Sequence, residues 1–101
     1  MEKRKWAMVI MGPSYDPEKN QARLDTPEVE GHVLTVRNPE EAVALAKKLA
    51  DEGFGAIEVC GAFGETLARK MYEATDKRVT VSYVTTPADE LPAALAFWGE
   101  E

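Results

Sequence analysis

The residues best suited to chemistry lie in one stretch, Gly55-Ala56-Ile57-Glu58-Val59-Cys60-Gly61-Ala62-Phe63-Gly64-Glu65. It reads as a short strand, a glycine-flanked turn and the start of a helix. A carboxylate at Glu58 can act as a general acid or base once burial desolvates it. Cys60 carries the chain's one thiol and is a candidate nucleophile. The turn Gly61, Ala62, Phe63, Gly64 and Glu65 opens a helix, where backbone N–H groups lack partners and attract a carboxylate or phosphate. Simpler roles stay open. The glycines suit a tight turn, Glu65 complements the helix dipole, Cys60 suits an inert packed thiol, and Glu58 suits an acid neutralised at a subunit interface.

Further candidates lie where other strands end. Gly12, Tyr15 and Asp16 follow the first strand, and Arg37 ends the second. In open α/β sheets ligands bind at the carboxyl ends of the strands, so these groups and the 58–65 stretch are expected at one edge, with Arg37 able to pair with an anion. The lone histidine, His32, stands just before its strand and suits a structural role; it reaches Glu58 only if the sheet order allows. One histidine, one cysteine and scattered carboxylates show no ligand spacing, so no metal site is expected. No phosphate loop or dinucleotide fingerprint is present, and no cofactor is expected.

The elements that must position these groups follow from hydrophobic pattern. Residues 5–11 are apolar after Lys5, as in a central strand covered on both faces. Residues 12–31 read as a long polar connection punctuated by Pro13, Pro17, Pro27 and Gly31, with Asp16 capping a short turn at Pro17. A connection this long suits a lid, a binding loop or a subunit contact, or a plain surface excursion. A second strand covers 33–37. Asn38-Pro39-Glu40-Glu41 starts a helix, with Asn38 as cap and Glu41 three residues on. Ala42, Leu45, Ala46 and Leu49 form its inner stripe, and Gly53 ends it. The third strand is the opening stretch, and its helix runs to about Thr75 with Leu67, Ala68, Met71 and Tyr72 inward. A fourth strand covers 79–84, and a short helix covers 89–98 with Leu91, Leu95 and Trp98 on one side.

Alternating strands and helices imply parallel strands joined by right-handed crossovers. The expected fold is a single α/β domain over 1–101. It has a small, four-stranded, mainly parallel sheet in the flavodoxin-like order 2-1-3-4, two long helices on one face and a short C-terminal helix. The other face, carrying Thr35, Glu58, Cys60, Thr80 and Ser82, reads as too polar for a core. It is therefore expected to meet a second copy of the chain, as a homodimer or higher oligomer. Trp6, Phe97 and Trp98 suit that interface or the core.

Composition agrees with a soluble domain: 101 residues, 45% hydrophobic and 30% charged. A net charge of −6 opposes nucleic acid and anionic membranes as partners. A single cysteine gives no disulfide framework and suits a reducing cytoplasm. The apolar run at 6–11 is too short for a signal peptide or a membrane span.

At Met11-Gly12-Pro13, Tyr15-Asp16-Pro17, Thr35-Val36-Arg37-Asn38, Glu41-Ala42 and above all Glu58-Val59-Cys60-Gly61-Ala62-Phe63-Gly64-Glu65, the chain resembles the short bacterial proteins grouped as domain of unknown function 6506. The resemblance covers nearly the whole chain and is weakest after Thr86. It implies a domain boundary and a fold, and no particular activity. From the residues, the expected function is binding of a small anionic metabolite at the strand ends, with catalysis by Glu58 and Cys60 as an option. A non-enzymatic homo-oligomeric module is the alternative.

Overall fold

The computed structural model describes residues 3–99. The elements are β1 (Arg4–Met11), β2 (Ala22–Asp25), β3 (Val29–Val36), α1 (Pro39–Asp51), β4 (Ala56–Val59), α2 (Gly64–Ala74), β5 (Thr80–Tyr83), one 3₁₀ turn (Ala88–Glu90) and α3 (Leu91–Trp98). They form one five-stranded sheet in the order β2-β3-β1-β4-β5. The four parallel strands fall in the order expected from sequence. The correction is a fifth strand, β2, antiparallel to β3 at the edge. It lies inside the stretch read as a long connection.

β2 escaped notice for physical reasons. Its four residues, Ala22-Arg23-Leu24-Asp25, are all exposed and carry no apolar alternation. Arg23 and Asp25 ion-pair at 2.8 Å along it, and charges are the usual protection for an edge strand. The hairpin closes at Thr26, whose N–H donates to the Val29 carbonyl at 2.9 Å while its hydroxyl accepts from the Val29 N–H at 3.0 Å. Pairing with β2 and β1 also starts β3 at Val29, four residues earlier than expected.

Helix boundaries follow local chemistry. The Asn38 side chain accepts from the Glu41 N–H at 2.9 Å, with Pro39 in the first turn. At the other end, the Gly53 N–H donates to Ala50 and the Phe54 N–H to Leu49, with Gly53 at φ 91. That pattern is a left-handed stop which tucks Phe54 back into the core. α2 ends on buried Thr75, whose hydroxyl donates to the Tyr72 carbonyl at 2.6 Å and accepts from the Val79 N–H at 3.2 Å. Arg78 donates to the Thr75 carbonyl and to Asp51 at the end of α1.

The core lies between the sheet and the two long helices. Ala7, Val9, Val36, Ile57, Val59 and Val79 face Ala42, Ala46, Leu49 and Ala50 of α1 and Leu67, Ala68 and Met71 of α2. Three of the four buried positions of α1 are alanines, so this helix sits close to the strands. Leu34, Leu45 and Val81 are only partly buried at the margins, and Tyr83 is exposed.

The register assigns the other residues to the opposite face. Trp6 stands beside Gly31 and Ala56, Met8 beside Val33 and Glu58, and Ile10 beside Thr35. This face therefore has an apolar row along β1, flanked by Val33 and Ala56 as well as by Thr35 and Glu58, and is less polar than expected from sequence. No helix covers it among the described residues. The ring of Trp6 lies over Gly31: a methyl added there would sit 3.2 Å from the ring and 2.9 Å from the Leu24 carbonyl oxygen. Gly31→Ala is therefore expected to lower stability by about 1–3 kcal/mol through overpacking. Gly55→Ala meets only the Lys5 carbonyl at 4.0 Å and is expected to be neutral or slightly stabilising. Urea unfolding of the two variants checks the contrast, and equal midpoints would count against this placement of Trp6.

Candidate functional site

The strand ends do gather the expected loops at one edge, in two groups. The first lies beside β3. A cleft of about 580 Å³ is lined by Tyr15, Asp16, Thr35, Arg37, Glu41 and their neighbours. Gly12 continues the β1–β3 pairing through its N–H to the Val36 carbonyl at 3.0 Å, and a Cβ there would meet the Tyr15 ring at 3.0 Å. The missing side chain thus lets Tyr15 fold back over the end of β1. Asp16 is largely occupied by its own turn. Its carboxylate accepts from the Glu18 N–H at 2.9 Å, and its N–H donates to the Asn20 side chain at 2.7 Å.

Arg37 is not a free cation. Its Nε and Nη2 donate to Glu41 Oε2 at 2.9 and 2.6 Å, and its backbone N–H donates to Glu41 Oε1 at 2.8 Å. The capping residue expected to reach back to Asn38 thus closes on Arg37 instead. These hydrogen bonds hold the Glu41 carboxyl below the ordinary 4.5 and raise the Arg37 guanidinium. The (i, i+4) spacing that pairs them was visible in the sequence.

The second group is the turn into α2. Phe63 is buried, its N–H donates to the Cys60 carbonyl at 3.1 Å, and Gly64 takes φ 71, a backbone conformation that favours glycine. Among the described residues no side chain caps this helix, whereas Asn38 caps α1. Gly61, Ala62 and Glu65 are exposed. β1 separates this turn from β3, so about 10 Å of sheet divides the two groups.

The expected catalytic pair fares differently. Glu58 is exposed on the face away from the helices, and among the described residues its carboxylate has no ion pair or hydrogen bond. The expectation of a buried acid is thereby corrected: the alternation that suggested burial places Glu58 opposite the core, where the described residues form no second layer. Cys60 is half-buried against the core margin. His32 cannot serve either group. It pairs in register with Ala7, on the helix side, whereas Glu58 pairs with Met8 on the opposite face. His32 Nε2 lies 2.8 Å from Glu30 Oε2, and its ring stacks edge-on to Phe54 at 5.1 Å. Glu30 also meets Arg23 at 3.4 Å. This cluster borders a second depression of about 400 Å³ at the other end of α1's flank. It was missed because residues 29–32 were not read as strand; two residues apart on a strand share a face. Among the described residues no group of three metal-ligating side chains comes together, and no helix is long and apolar enough to cross a membrane.

The carboxyls of Glu30, Glu41 and Asp51 are all held below their ordinary values, chiefly by hydrogen bonds from His32, Arg37 and Arg78 respectively. A carboxyl depressed in the folded state stabilises fully above its unfolded value, and the stabilisation is lost as pH falls through the folded value. Stability is therefore expected to be level above the ordinary carboxylate range and to decline on acidification below it. Glu41→Gln removes one of the three contributions and is expected to flatten that decline, as read by urea midpoints at several pH values. An unchanged slope would deny the Arg37–Glu41 pair this role.

Comparison with known proteins adds one positive result. No curated protein and no solved structure matched the chain. The model of one protein family, described as a family of unknown function, matches residues 4–99, from the first residue of β1 to just past α3. The chain belongs to that family, DUF6506.

Proposed function

We propose that the protein binds a small anionic metabolite at the turn between β4 and α2, over the end of β1. The observation that carries this reading is the contrast between the two long helices. The N-terminus of α1 is closed by Asn38, and Glu41 beside it is engaged by Arg37; that of α2 has no side-chain cap and opens at the strand edge. Its unpartnered N–H groups and the helix dipole favour a carboxylate or phosphate. Gly61, Ala62, Phe63, Gly64 and Glu65 form the cradle; Gly12, at the end of β1, stands between it and the cleft that Tyr15 lines. Arg37 and Asp16 belong to the neighbouring cleft, where the rest of a larger ligand would lie. If the site is catalytic, Glu58 on β4 and Cys60 just after it are the groups at hand.

The test is a titration of ¹⁵N-labelled protein with inorganic phosphate and with citrate. Shifts confined to the amides of residues 61–66, saturating in the millimolar range or below, support the reading. Uniform or absent shifts would remove it. For Cys60, the iodoacetamide alkylation rate is expected to match that of a free cysteine, since no histidine lies on its side of the sheet. A rate tenfold higher would point to an activated nucleophile.

A second reading, a non-enzymatic homo-oligomeric module, is favoured by the uncovered sheet face. Parallel sheets are ordinarily covered on both faces, and this protomer supplies one layer of helices.

A further inference from the structure

Two surfaces of the protomer lack the neighbour that their composition requires. One is the sheet face opposite α1 and α2, where Trp6, Met8 and Ile10 run along the middle strand between Val33 and Glu58. Among the strand residues on this face, the charged ones are Arg4 and Glu58. The other surface is α3. Its sequence, Leu91-Pro92-Ala93-Ala94-Leu95-Ala96-Phe97-Trp98, contains no charged side chain, and the indole N–H of Trp98 is its one polar side-chain group. A helix that is apolar all round belongs in an interior. Yet Leu91 is 44% exposed, Leu95 50%, and Phe97 and Trp98 each 78%.

α3 also stands off the body. Its substantial contacts are with the 3₁₀ turn that leads into it. The linker, residues 84–87, has no regular structure, and Pro87 is extended at φ −55, ψ 145. The chain measures 45 × 28 × 27 Å, with a radius of gyration of 14.2 Å. A compact domain of this length has about 13 Å.

We propose that α3 of one protomer lies on the open sheet face of a second copy, and the second copy's α3 on the first, in a two-fold arm-exchanged dimer. This deepens the self-association reading and rests on it; it is independent of the ligand reading. Exchange of an identical element satisfies both surfaces with one symmetry operation and leaves no unmatched patch to propagate. The area is sufficient. Large aromatics bury about 150–250 Å² each. Two such arms with their leucines, plus the sheet they cover, remove roughly 1,500 Å² from water, the size of a stable specific interface. The polar groups also match: the face offers one carboxylate near its middle, Glu58, and the arm offers one donor, the Trp98 indole.

The experiment is light scattering after gel filtration, across a concentration series, on three proteins. Wild type is expected at about twice 11.1 kDa. Phe97→Ser combined with Trp98→Ser changes two exposed side chains, so the protomer's fold is expected to persist by circular dichroism while the dimer is lost. Glu58→Arg, also at an exposed position, places a guanidinium under the incoming arm and is expected to weaken the dimer at least tenfold. A wild-type monomer at every concentration would overturn both self-association and exchange. A dimer that survives the Phe97/Trp98 changes would overturn exchange alone. A dimer lost in that variant but unaffected by Glu58→Arg would mean that α3 meets α3 rather than the sheet, and would also overturn it.

Discussion

The constraint on which the rest depends is that a parallel sheet needs a layer on each face, and the described residues supply one. Strand β1 shows it most clearly. Ala7 and Val9 point to the helices and are fully buried, while Trp6, Met8 and Ile10 point away and are only partly so. Both faces of the strand are apolar, as in the middle strand of a doubly covered sheet. The covered side is thin: alanines on α1 let the helix approach closely, and the largest fully buried side chains are Ile57, Met71, Val9 and Val59. A single core of this size stabilises a small domain only modestly. The row on the other face is half-buried and still has apolar surface left to cover.

The strand-end edge is organised by how each helix N-terminus is treated. At α1, Asn38 accepts from the helix, and Glu41 turns outward to hold Arg37 by its backbone N–H and guanidinium. The arrangement neutralises a cation that would otherwise attract ligands to the β3 end. At α2, the buried ring of Phe63 fixes the approach and Gly64 supplies a backbone angle that side chains resist. No side chain closes it. The dipole of α2 acts within its first turn, where Glu65 is the acidic side chain.

What the sequence made legible follows the strength of local signals. The apolar run of β1, the Asn38-Pro39 start, the Gly53 stop and the inner stripes of both helices each have a local cause, and the parallel strand order follows from their alternation. β2 could not be read, because an exposed edge strand has no buried face to imprint a period on its residues. The same limit explains His32, whose partner Glu30 is legible only once residues 29–32 are known to be strand. Glu58 illustrates the opposite failure. Period-two alternation correctly put it on the face away from Ile57 and Val59, but alternation says nothing of whether that face has a cover. The Arg37–Glu41 pair was available from spacing and was passed over in favour of the capping pattern that overlaps it.

The two proposals meet on strand β4. Glu58 lies on the open face and pairs in register with Met8 and Ser82; two residues later the same strand ends in the Cys60–Gly64 turn. An arm laid across that face would exclude water from the strand directly behind the turn. Charge interactions strengthen as the local dielectric falls, so an anion at the α2 N-terminus would be held differently in monomer and dimer. Linkage then requires the reverse. Whatever factor association contributes to ligand affinity, the ligand contributes to association. Glu58 would set the sign of that coupling. Left ionised and unpaired under the arm, it would repel an anion near the turn; hydrogen-bonded to the Trp98 indole, its charge is partly compensated and that repulsion falls. The acid placed mid-strand is thus the group through which the interface and the strand-end site would sense one another.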